Sequence, residues 1–204
     1  MTVRSLFLTL SLALIPHLTL ASDSPVTIQS LSAAGAACPE GTVAITLAPD
    51  RRSFSVLFDQ ALVQSSPTEP LADKICEITI VSKVPAGWKL NLYSNDFRGF
   101  SQVEKGSQTF QRTSYYRLTP QRTWKLLRRG KKTFKPGFNN NYSLSHKLPV
   151  YQSSLQKCQD HFETITVQIQ LASLSRTNKT GTAELALDSF DGGVQGLKHA
   201  CNYH

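Results

Sequence analysis

Apolar and polar residues alternate along most of this chain with a period of two, the pattern of strands that bury one face. In 42–47, Val43, Ile45 and Leu47 share a side; in 54–58, Phe54, Val56 and Phe58 do. The intervening Ala48-Pro49-Asp50-Arg51-Arg52-Ser53 has turn composition, so the two segments read as a hairpin. Ile78 and Ile80 mark a strand over 75–84, and Pro85-Ala86-Gly87 is a tight turn. Trp88, Leu90 and Leu92 then alternate with Lys89, Asn91 and Tyr93, and an extended 96–100 puts Asp96, Arg98 and Phe100 on one face. Further strands are expected over 109–118, 142–151 and 162–174. Ala183, Leu185 and Leu187 begin another, and 194–200 is a short last one. Residues 64–72 read as a loop, and 176–181 and Asp191-Gly192-Gly193 read as turns. No segment keeps a helical period over three turns. The prediction is an all-β fold: a single-domain β-sandwich of antiparallel strands.

The first residues follow a different rule. Arg4 precedes an apolar run, 6–15, interrupted only by Thr9 and Ser11. Thr19 and Ala21 are small residues suited to cleavage after Ala21, and no lipobox cysteine lies near the cut. The run is shorter than the roughly 20 apolar residues of a membrane span, so 1–21 reads as a cleavable signal peptide. The chain is thus expected to be secreted or periplasmic, with no transmembrane segment in its mature form. The Ser/Ala-rich 22–37 reads as a flexible N-terminal segment and 38–204 as the sandwich domain.

Four cysteines, Cys38, Cys76, Cys158 and Cys201, suit that compartment as two disulfides. Three connectivities are open. The expected one is Cys38–Cys201 with Cys76–Cys158, which ties the two ends of the domain together.

Several short motifs are also distinctive. They are Cys38-Pro39-x-Gly41, Leu47-x-Pro49-Asp50, Phe54-Ser55-Val56-x-Phe58-Asp59, Val84-Pro85-x-Gly87-Trp88 and Asp96-Phe97-Arg98-Gly99-Phe100. With the cysteine spacing, they make most of residues 35–201 resemble the secreted DUF4360 family. The resemblance implies a small, secreted, disulfide-linked, β-rich domain and no catalytic residue. Residues 120–150 depart from the family in being more basic.

Charge adds a candidate function. Between Arg98 and Lys135 eleven lysines and arginines face a single carboxylate, Glu104, while the whole chain carries +8. Tyr115, Tyr116, Trp124 and Phe134 are interleaved with them. Cations neutralise phosphate, sulfate or uronate groups and rings stack on sugars or bases, so this composition suits a polyanion. The candidate binding residues are Arg117, Arg122, Trp124, Lys125, Arg128, Arg129, Lys131, Lys132 and Lys135. Arg128-Arg129-Gly130-Lys131-Lys132 reads as a hairpin tip with Gly130 in the turn. Export disfavours intracellular nucleic acid. Acidic polysaccharide, lipopolysaccharide, an anionic lipid surface or extracellular DNA remain as partners.

Other chemistries are weaker. Cys158-x-x-His161 and His199-x-Cys201-x-x-His204 have metal-ligand spacing, but oxidised cysteines are poor ligands. Asp188 and Asp191 near a Gly-Gly turn are too few oxygens for calcium. No metal or cofactor is expected. His146, His161 and His199 are candidate general bases among the scattered Asp59, Asp96, Asp160, Asp188 and Asp191, without a nucleophile elbow or zincin motif. The triplets at Asn141 and Asn178 fit N-glycosylation acceptors. The expected protein is a non-enzymatic binding or structural protein at the cell envelope or outside the cell. The alternative is a secreted hydrolase of an envelope or extracellular polymer.

Overall fold

The computed structural model describes residues 25–148, 158–175, 181–198 and Cys201. The expected signal peptide, the triplet at Asn178, His199, His204 and the strand ends at 149–151 and 199–200 lie outside the described residues. Eleven strands are present among the described residues: β1 Thr27–Ala34, β2 Val43–Leu47, β3 Ser53–Phe58, β4 Leu62–Ser65, β5 Leu71–Val84, β6 Trp88–Val103, β7 Ser107–Leu118, β8 Trp124–Phe134, β9 Asn139–Ser145, β10 His161–Ser175 and β11 Ala183–Lys198.

They form two antiparallel sheets. Sheet A runs β1-β5-β10-β7-β8; sheet B runs β2-β3-β11-β6-β9, with β4 pairing β11 beyond the end of β3. The two inner faces meet in one core, the β-sandwich that the alternation predicts. Sheet A contributes Ile78, Ile80, Val167, Ile169 and Leu171; sheet B contributes Val56, Phe97, Leu185, Leu187 and Phe190. Phe97 stacks on Phe190 with centroids 4.5 Å apart. No helix among the described residues is long and apolar enough to cross a membrane.

The inner face of β7 is polar, and its Thr109 and Gln111 find partners across the sandwich, as most buried polar groups do. Thr109 Oγ1 lies 2.8 Å from Ser101 Oγ on β6, and Tyr142 Oη of β9 lies 2.9 Å from Gln111 Oε1. Burial pushes the Tyr142 phenol well above its usual range.

Several sequence expectations need correction. Residues 22–37 are not all flexible, because β1 occupies 27–34 and pairs with β5 along its length. The loop assigned to 64–72 contains the end of β4 and the start of β5. The Asp191-Gly192-Gly193 turn is the middle of β11, which runs on unbroken to Lys198. Its two glycines make room for rings instead. A Cβ on Gly192 would sit 2.3 Å from Phe54 Cζ on the core side, and one on Gly193 would sit 2.7 Å from Tyr93 Oη on the outer side.

All four cysteines are paired, but as Cys38–Cys76 and Cys158–Cys201, not in the expected connectivity. The reason is β1. Its ladder with β5 brings Ala34 opposite Glu77, and Ala37 N donates to Ile75 O at 3.0 Å, which lays Cys38 beside Cys76.

Candidate functional site

Most of the basic segment is one hairpin at the edge of sheet A. β7 and β8 are joined by residues 119–123, where Arg122 takes a positive φ of 58° and its N–H donates to Thr119 O at 2.9 Å. Gly130 is therefore not at a hairpin tip: it pairs with Thr113 in mid-ladder.

Alternation along the two strands sorts the side chains. Paired residues share a face, and the inner face of β7 carries the buried Thr109, Gln111, Thr113, Tyr115 and Arg117. The outer face carries Phe110, Arg112, Ser114, Tyr116 and Leu118 on β7 against Thr133, Lys131, Arg129, Leu126 and Trp124 on β8. A bulge at Leu127 keeps this parity on both sides of it.

Of the nine sequence candidates, only Trp124, Arg129 and Lys131 fall on that outer face. Trp124 is 51% exposed. Lys125, Arg128 and Lys132 have the opposite parity and stand along the rim of the sandwich, where Arg128 Nη1 donates to Lys147 O at 2.7 Å. Arg122 is in the turn, and Lys135 follows the end of β8. Arg117 is not a surface residue: at 6% exposure it faces a cavity of about 30 Å³ with Asn91 and Glu163, and its Nε has no partner. Tyr115 and Phe134, counted among the interleaved rings, are buried in the core.

Phe110, Arg112 and Tyr116 were missed as site residues, although their common parity within 109–118 was there to read. Gln168 and Gln170 of β10 pair with Ser114 and Arg112 and extend the face. Arg112 Nη1 donates to Gln170 Oε1 at 2.9 Å, and Gln170 Nε2 donates to Asp73 Oδ2 at 2.7 Å. Gln168 Nε2 donates to Glu77 Oε1 at 2.9 Å. The face thus grades from cations on β8 and β7, through amides on β10, to carboxylates on β5. Lys131 Nζ stands 4.0 Å from the Phe110 centroid, and Arg129 Nε donates to Ser114 Oγ at 3.3 Å. The ion pairs among the described residues join Arg52 to Asp50, Arg98 to Asp191 and His161 to Glu163, so none engages a β8 cation.

The hydrolase and metal alternatives meet other geometry. His146 Nδ1 lies 3.1 Å from Tyr115 Oη, and His161 Nε2 lies 3.1 Å from Glu163 Oε1; among the described residues neither histidine is hydrogen-bonded to an aspartate. Cys158 and Cys201 are joined in a disulfide, which makes their sulfurs poor metal ligands, and no group of three or more metal-ligating side chains occurs among the described residues.

Fold and site together define a disulfide-bonded β-sandwich whose edge hairpin sets Arg112, Arg129 and Lys131 on one face with Phe110, Tyr116 and Trp124. A family model described as "Domain of unknown function (DUF4360)" matches residues 24–200, and the chain belongs to that family. A relative from Arthroderma benhamiae, described as "Uncharacterized secreted protein", is 33% identical over 93 residues, which are 45% of this chain and 38% of the relative's length. Among solved structures, a family 61 carbohydrate-binding module with β-1,4-galactotriose is 11% identical, covering 85% of this chain and 91% of its own, at a TM-score of 0.26. A Clostridium thermocellum family 11 carbohydrate-binding module with a mixed-linked tetrasaccharide is also 11% identical, covering 87% and 100%, at 0.25. The enzymatically active domain of bacteriophage CBA120 tailspike protein 4 is 12% identical, covering 78% and 19%, at 0.28. At such TM-scores none of these likenesses carries an argument about the ligand.

Proposed function

We propose that this protein is a secreted, non-enzymatic binding protein whose β7–β8 face holds an extended polyanion, an acidic polysaccharide being the best fit. Secretion is supported by the two disulfides and by the secreted relative. The observation that carries the reading is the sorting of side chains: Arg112, Arg129 and Lys131 share one face with Phe110, Tyr116 and Trp124, and among the described residues no carboxylate forms an ion pair with these cations.

The charge gradient also gives the ligand a direction. Asp73 and Glu77 on β5 repel a chain laid across the sheet, so the polymer lies along the hairpin. Eleven residues of β8 span about 36 Å, room for several charged sugars. Rings at the turn end stack on sugar faces, and cations further along meet carboxylates or sulfates.

The test is retention on immobilised heparin and on alginate at graded salt. Arg129→Ser with Lys131→Ser should lower the eluting salt concentration and reduce the log–log salt slope by about one per cation removed. Trp124→Ala should weaken retention with the slope unchanged. Elution near physiological salt that ignores all three substitutions would sink the reading.

A further inference from the structure

The outer face of sheet B has a different chemistry, and we infer that it holds a second site, for a neutral sugar, centred on Tyr93. Tyr93 is the bulge residue between the pairs Ser94–Gly193 and Leu92–Val194. Its ring lies across Gly193, where an added Cβ would meet Tyr93 Oη at 2.7 Å and Cζ and Cε1 at 2.8 Å. One ring face is thus seated on backbone, and the residue remains 44% exposed. A side chain at 193 would push the ring off the sheet; glycine lets it lie down as a platform.

Beside this ring is an open groove of about 280 Å³, lined by Asp50, Arg52, Ser53, Gln195 and Gly196. These are groups that recognise hydroxyls: a carboxylate accepts two, a guanidinium and an amide each donate, and a serine does either. Asp50 is already oriented, because it accepts from Arg52 N at 3.0 Å and Arg52 Nε at 3.1 Å. A platform that covers the apolar face of a pyranose, with planar polar groups around its rim, is the chemistry a sugar ring requires.

The next row of the sheet continues the surface. Thr46, Ser55, Asp191, Asp96 and Ser145 stand side by side on β2, β3, β11, β6 and β9. With Arg98 along β6 on one side and Lys89 the same number of outward rows away on the other, the surface around Tyr93 carries Asp50, Asp96 and Asp191 against Arg52, Arg98 and Lys89, so its formal charges cancel. It offers no excess of cations to uronates or sulfates, so the ligand class is a neutral glycan. This site therefore stands apart from the basic face of sheet A.

Native affinity electrophoresis in gels containing hydroxyethylcellulose, laminarin, galactan or mannan tests the inference. Retardation by at least one is expected, with Tyr93→Ala weakening it at least tenfold and Arg129→Ser/Lys131→Ser leaving it unchanged. If Tyr93→Ala is shown by near-ultraviolet circular dichroism to be misfolded, Asp50→Asn with Gln195→Ala must produce the loss instead. The inference is overturned if none of the four polymers retards the protein. It is equally overturned if retardation survives the groove substitutions in a folded variant. Retention on heparin is measured separately, so either site can fail alone.

Discussion

Asp96 of β6 and Asp191 of β11 stand directly opposite one another in the ladder, and Arg98, one outward position along β6, places Nη2 3.7 Å from Asp191 Oδ2. Like charges facing across a ladder are destabilising. Hydroxyls share the load: Ser55 donates to Asp191, and Ser94 donates to Asp96 at 2.7 Å. The Ser94 and Ser145 hydroxyls, with a smaller contribution from Arg98, hold the Asp96 carboxyl below the usual carboxylate range. Removing the arginine should expose the repulsion. Arg98→Gln is expected to cost about 1 kcal/mol, more at low salt, with most of it recovered by adding Asp191→Asn. Urea unfolding of the four proteins of the cycle measures this; equal losses with and without Asp191 would refute the coupling.

Stability should also fall on mild acidification because of His146. Burial, then the nearby Arg128, pushes its imidazole pKa below the ordinary 6.5, while Asp96 pulls weakly the other way. The unfolded chain therefore binds the proton more readily. The contribution of neutral His146 is complete above about pH 6.5 and is lost as pH falls from there through the folded pKa. His146→Gln should flatten the dependence of unfolding free energy between about pH 7 and pH 5. An unchanged slope in that variant would show that other groups control this window.

The two disulfides should differ in reducibility. Cys38 and Cys76 are buried, whereas Cys158 and Cys201 are partly exposed. Partial reduction followed by alkylation should label Cys158 and Cys201 first. Peptide mapping of the oxidised protein should recover the Cys38–Cys76 and Cys158–Cys201 pairs. Replacing Cys38 and Cys76 with serine is expected to cost about 4 kcal/mol in the chain-entropy model for a separation of 38 residues. First labelling at Cys38 and Cys76 would contradict the order given.

Glycines 99 and 192 should resist substitution for steric reasons. At Gly99 a Cβ would lie 2.1 Å from the Ala186 carbonyl oxygen, which is backbone and cannot turn aside. At Gly192 the obstacle is the Phe54 ring. Gly192→Ala should cost about 1–3 kcal/mol and be partly rescued by Phe54→Leu, whereas Gly99→Ala should be worse and have no such rescue. Thermal melts of the three variants decide it.

What was legible in the sequence was governed by contrast between faces. β2, β3, the first part of β6, the middle of β10 and the start of β11 carry apolar residues at every second position, and that alternation gave the sandwich. β1 escaped because its small and hydroxylated side chains offer little contrast, and only Ile28 on it is fully buried. β8 escaped because lysines and arginines occupy both of its faces, so charge masked the period and Gly130 passed for a turn. β11 was cut short because paired glycines signal a turn when read locally, while here they admit Phe54 and Tyr93 from opposite sides. The candidate site was legible as a segment but not as a surface. Sorting its residues needed the ladder register, which sent Arg117 and Tyr115 inward and brought Arg112 and Tyr116 out. The cysteine pairing was hidden with β1, whose ladder decides it.

β8 closes one side of sheet A, and among the described residues no strand neighbours the outer row of its amide and carbonyl groups. Such an edge invites pairing with a second copy, and lysine or arginine along it is a known deterrent. The cations there thus serve solubility as well as any ligand. A polyanion that neutralised them would bring copies together along its length with their edges unguarded, and variants stripped of charge to test binding would lose the same guard. Replacement by glutamate, which would abolish anion binding but keep the edges mutually repellent, complements the serine variants and separates the two roles.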